Sequence, residues 1–65
     1  MSIDLENVTK AAQTSELLCK DLAELVKSDN LLLSDIAFAE LTIAANLRVR
    51  LERLQTNLET MEARP

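Results

Sequence analysis

Lys27-Ser28-Asp29-Asn30-Leu31-Leu32-Leu33 is the stretch on which the fold turns. Ser, Asp and Asn side chains compete for backbone hydrogen bonds and so interrupt helices. The chain has no glycine to mark a turn. Asn30 is the next-best residue for the left-handed conformation that closes a helix. Three leucines follow at once, as at the start of a new element. The spacing from Val26 to Leu33 is seven residues, which also keeps the register of one unbroken helix. Between those two readings the Ser-Asp-Asn cluster favours the bend, and the bend is adopted.

Working back from it, Leu5, Val8, Ala12, Ser15, Cys19, Leu22 and Val26 recur at alternating spacings of three and four. That is a heptad seam. Ala11, Leu18 and Leu25 widen it on one flank, and Glu6, Lys10, Gln13, Lys20, Glu24 and Lys27 occupy the other side. Ser2 or Asp4 can cap the start, and Asp4 and Glu6 suit the positive end of the helix dipole. Working forward, Leu33, Ala37, Glu40, Ala44, Leu47, Leu51, Leu54, Leu58 and Met61 repeat the pattern, with Ile36 and Ile43 beside them. Glu40 alone interrupts this line. It is expected to sit at an edge and snorkel, to pair with Lys20 or Lys27, or to mark where a partner interface begins. Ser34 or Asp35 caps this helix, or its start falls nearer Asp29. No helix breaker follows before Pro65. The expectation is an all-α fold with one domain over residues 1–65. It is an antiparallel two-helix hairpin, with helices at about 4–28 and 34–61, completed into a bundle by association.

Size and composition say why association is expected. Ordering a residue costs roughly 1.5 kcal/mol, and a two-helix unit with half its surface in water falls short of offsetting that. Chains of 65 residues usually add a disulfide, a metal or another subunit. One cysteine and no histidine leave association. A phosphate-cradling loop is excluded without glycine, and no cofactor or small-molecule substrate is expected. The net charge of −4 tells against nonspecific binding to nucleic acid or to anionic membrane. Apolar runs are far below the ~20 residues of a membrane span, and no signal peptide is visible. The lone Cys19 fits a reducing compartment, so a cytoplasmic location is expected.

Function is expected from a second apolar face. At 100° per residue, Phe38, Leu41, Ala45 and Val49 fall within roughly an 80° arc that points away from the Leu33-to-Met61 line. Phe38 is the only aromatic residue in the chain. A helix apolar on two sides is normally sandwiched, so these four residues are the candidate partner-binding face. Their cover is a helical protein partner, self-association into a dimer, or both. Arg48, Arg50 and Arg53 are the only basic cluster, and they lie on different sides of a helix, as solvated residues do. No aromatic stands beside them for base stacking. Cys19 sits on a seam as a small core residue, and no histidine exists to activate it. No enzyme activity is expected, since two helices offer no cleft in which to desolvate an acid–base pair.

The length, the acidity and the segment Asp35-Ile36-Ala37-Phe38-Ala39-Glu40-Leu41, opening the second helix after a short polar turn, resemble one family of small proteins. They are the co-chaperones that guard the needle subunit of type III secretion systems. That resemblance implies a helical hairpin that pairs with a larger helical chaperone and keeps a secretion-apparatus subunit from polymerising in the cytoplasm. Size, seam and seam cysteine are also similar to a plasmid copy-number regulator that forms a dimeric four-helix bundle and binds RNA hairpins. This implies a self-associating regulator or structural bundle. The acidic surface ranks RNA binding third.

Overall fold

The computed structural model describes residues 2–64. Two helices, α1 (Ile3–Val26) and α2 (Leu31–Ala63), pack along each other as an extended hairpin of 54 × 14 × 11 Å. The turn thus ends the reading of one unbroken helix. Both helices start earlier than the spacing suggests, and α2 runs two residues further. Pro65 lies outside the described residues.

Lys27, Ser28 and Asn30 each have a local reason to stand in the turn. Lys27 N–H and Ser28 N–H donate to the carbonyls of Glu24 and Leu25, at 3.2 and 3.0 Å, which tightens the last turn of α1. Ser28 Oγ then accepts from Asn30 N–H at 3.1 Å. Asn30 is in extended conformation, not left-handed, and is the N-cap of α2: its Oδ1 accepts from Leu33 N–H at 3.1 Å. No described residue has positive φ, which is why the turn closes without glycine. Asn30 caps α2 in place of Ser34 or Asp35. Ser34 instead reaches back and donates its Oγ proton to the Val26 carbonyl. At the other end Ser2 caps α1 by accepting from Leu5 N–H at 3.1 Å.

Among the described residues the buried ones are few and, Leu5 apart, small: Leu5, Ala12, Ser15, Ala37 and Ala44. On α1 they follow the expected line, with Val8, Cys19, Leu22 and Val26 half-buried beside them. On α2 the line is rotated. Ala37, Ala44, Leu51 and Leu58 face α1, but the alternate positions are Ser34, Leu41, Arg48 and Gln55, all half-buried. The residues expected there, Leu33, Leu47, Leu54 and Met61, are exposed. Both heptad phases share 37, 44, 51 and 58, so the sequence pattern favours the greasier alternative. The ends decide otherwise. Ser34 binds the Val26 carbonyl at the turn, while the Ser2 amide and hydroxyl bind the Glu62 carboxylate at the open end. Residues 34 and 62 belong to one heptad phase, so both ties hold α2 in the same rotation.

Candidate functional site

The rotation of α2 decides what the hairpin offers to another molecule. Of the four residues expected to form the partner face, Phe38 is 62% exposed and Val49 is 37% exposed. Ala45 is half-buried at their inner edge, and Leu41 is half-buried on the seam toward α1. Phe38, Ala45 and Val49 therefore share an open flank, and Leu41 backs it from inside.

The opposite flank is richer, and the sequence reading assigned most of it to the hairpin's own seam. Leu33, Ile36, Ile43, Leu47, Leu54 and Met61 are all exposed, with Ile43 at 62%. With Glu40, Arg50 and Asn57 they complete an alternation of three and four from end to end. This is a second heptad seam with nothing packed on it. In an antiparallel pair, matching flanks of the two helices adjoin. Leu18 and Leu25 of α1, both exposed, widen this face as the flanking line Ala11-Leu18-Leu25 predicts. The signal that finds it in sequence is the polar phase Ser34, Arg48, Gln55, Glu62. Ser34 and Glu62 are needed at the two ends, and placing their phase toward α1 drives the leucines out.

Charges on this face lack internal partners. The described ion pairs all lie along α1 and its C-terminal cap: Glu6–Lys10 at 3.4 Å, Glu16–Lys20 at 3.8 Å and Glu24–Lys27 at 3.2 Å. Exposed pairs of this kind contribute about 0.3–0.5 kcal/mol each. Lys20 and Lys27 are thus engaged within α1, and Glu40 does not take them. Among the described residues, Glu40 and Arg50 form no ion pair and are exposed. Arg48 differs from its two neighbours in the basic cluster. It is half-buried on the seam, and its Nε is buried without a hydrogen-bond partner. On α1 the buried polar residue is Ser15, whose Oγ donates to the Ala12 carbonyl at 2.7 Å. The antiparallel register brings the Ala12–Ser15 turn level with the Arg48–Leu51 turn. A polar layer therefore interrupts the seam near mid-length.

Hydrogen bonds from Ser2 hold the Glu62 carboxyl below its ordinary value of 4.5, against a smaller opposing push from burial. Glu62 lies in the last turn of α2, where a negative charge is disfavoured by that helix's own dipole. The antiparallel arrangement sets it beside the positive end of α1, which offsets the cost.

Along the second half of α2 a shallow, open depression is lined by Val49, Glu52, Arg53, Thr56 and Asn57. Among the described residues no group of three or more acidic residues or cysteine converges as metal binding requires. Cys19 is half-buried with a free thiol. No described helix is long and apolar enough to cross a membrane. Compared with protein-family models, with curated proteins and with solved structures, the chain matches none.

Proposed function

We propose that this chain is a non-enzymatic protein-binding module. The observation that carries the reading is surplus apolar surface. A compact protein of 7.2 kDa exposes about 4,100 Å², whereas this hairpin exposes 5,099 Å². Leucine, isoleucine and phenylalanine side chains are exposed along its length, Leu31, Leu32, Ile36, Phe38 and Ile43 among them. Apolar surface on that scale, rimmed by charges, marks a site of protein association. The partner is helical, because a heptad-spaced stripe is complementary to another helix.

In its most concrete form the module is a small co-chaperone. It would pair with a larger helical chaperone and help keep a secretion-apparatus subunit soluble in the cytoplasm. The hairpin plan, the acidity and the position of Phe38 about two turns into α2 on an exposed flank support this form. Phe38, Ala45 and Val49 would make the contact, with Leu41 supporting them from the seam. Recovery of the tagged chain from its native cytoplasm, with the bound proteins identified and counted, tests it. A helical protein in stoichiometric amount is expected. Phe38→Ala should lower its affinity by about 2 kcal/mol, roughly thirtyfold, while Arg53→Ala should leave it unchanged. Equal effects of the two substitutions would defeat the reading.

The second reading is a self-associating structural or regulatory bundle. The uncovered heptad seam on α2 favours it, since four helices bury such seams in pairs. RNA binding ranks behind both, because a net charge of −4 repels phosphate.

A further inference from the structure

We infer that two copies of this chain form a two-fold dimer in which their α2 helices lie antiparallel, stripe on stripe, centred at the level of Ala45. The inference concerns the flank opposite Phe38 and stands independently of any partner bound there.

The charges in the stripe choose the pairing. A parallel pairing sets Glu40 against Glu40 and Arg50 against Arg50, which is repulsive at both levels. An antiparallel pairing centred at Ala45 sets Glu40 against Arg50 of the second copy, and by symmetry does so twice. The same register sets Ile43 against Leu47 and Ile36 against Leu54, again twice each. Sliding one copy by a heptad in one direction puts Arg50 against Leu47. Sliding it the other way puts Arg50 against Leu33 and Glu40 against Ile43. Of these registers it alone matches both charges to their opposites together with Ile36, Ile43, Leu47 and Leu54 to one another, Leu33 falling opposite Asn57 at the ends. Neither Glu40 nor Arg50 has a competing ion pair among the described residues.

A second observation agrees. The hairpin register runs from Ser2 beside Glu62 to Val26 beside Ser34, which puts Leu18 at about the level of Ala45. The exposed flank of α1 is therefore centred on the same axis. Leu18 of each copy would meet its twin there, and Leu25 would meet the small Ala11.

Sedimentation equilibrium of the full chain under reducing conditions tests the dimer, with circular dichroism recorded on the same samples. The expected mass is twice 7.2 kDa. Glu40→Arg and Arg50→Glu should each raise the dimer dissociation constant on the order of tenfold, by turning two attractions into two repulsions. The double variant should restore it. Leu47→Asp, at a position already exposed in the hairpin, should give monomers. A helical monomer at all concentrations overturns the inference. So does a dimer indifferent to Leu47→Asp, or single-charge effects that the double variant fails to reverse. A wild-type monomer that still binds a helical protein through Phe38 refutes the dimer and leaves the protein-binding module standing. A charge-reversible dimer with no Phe38-dependent partner supports the dimer and refutes the co-chaperone form.

Discussion

Ser2 and Glu62 show how much a small hairpin asks of single residues. Ser2 caps α1 through its side-chain oxygen and, with its amide and hydroxyl, holds the far end of α2. Glu62 is held ionised below the ordinary carboxylate range by those bonds. A carboxylate whose folded pKa is depressed contributes stability above its unfolded value, and loses it as pH falls through the folded one. The open-end tie is therefore complete above about pH 4.5 and weakens on acidification below it. Glu62→Gln should speed amide exchange in the first turn of α1 at pH 7. The difference from wild type should vanish at pH values below the lowered pKa. An equal effect at both pH values would mean that the carboxylate charge is irrelevant to the tie.

At the scale of the elements, the two helices and their break were legible in the chain, because periodicity and capping are local. Seven-residue recurrence marked both amphipathic runs, and Ser28 and Asn30 marked the turn. The rotation of α2 was not legible. Leu33 and Ser34 are equally compatible with Ala37 and Ala44 as seam residues, and only the contacts at the two ends, one of them between residues 60 apart in sequence, select Ser34. For the same reason the exposure of Phe38 could be read in advance, but the inward turn of Leu41 and the outward turn of Ile43 could not. The selected seam is one of small residues: Ala12, Ser15, Ala37 and Ala44 let the helices approach closely. Ala44, only 5% exposed, leaves no room for added carbons. Ala44→Leu should destabilise the hairpin by about 1–3 kcal/mol through overpacking, read as a lower midpoint in urea. A neutral or stabilising outcome would mean that the helices stand further apart than their alanines imply.

For the whole molecule, the seam between α1 and α2 is too thin to account for a stable fold by itself. Among the described residues Leu5 is the only large hydrophobic residue that is buried, and no large side chain is fully buried. Chains of this size gain stability by association, and binding of a second copy to the folded form raises the apparent midpoint by mass action. The melting temperature should therefore climb with protein concentration in wild type. It should lie lower and vary much less in Leu47→Asp. A midpoint independent of concentration in both would mean that the lone hairpin is self-sufficient. The outer stripe also explains why the chain tolerates a polar layer at Ser15 and Arg48. Specific alignment of the two helices is secured by the ties at the ends, while apolar burial is left to the outer face.

The alanine-lined seam has a thermal corollary. Folding of a solitary hairpin removes little hydrocarbon from water, so melting returns little, and the heat-capacity increment is small. Its free energy then bends only gently with temperature, without a pronounced optimum or a strong tendency to come apart in the cold. The steep curvature of an ordinary globular protein would enter only with the surface that a second molecule covers.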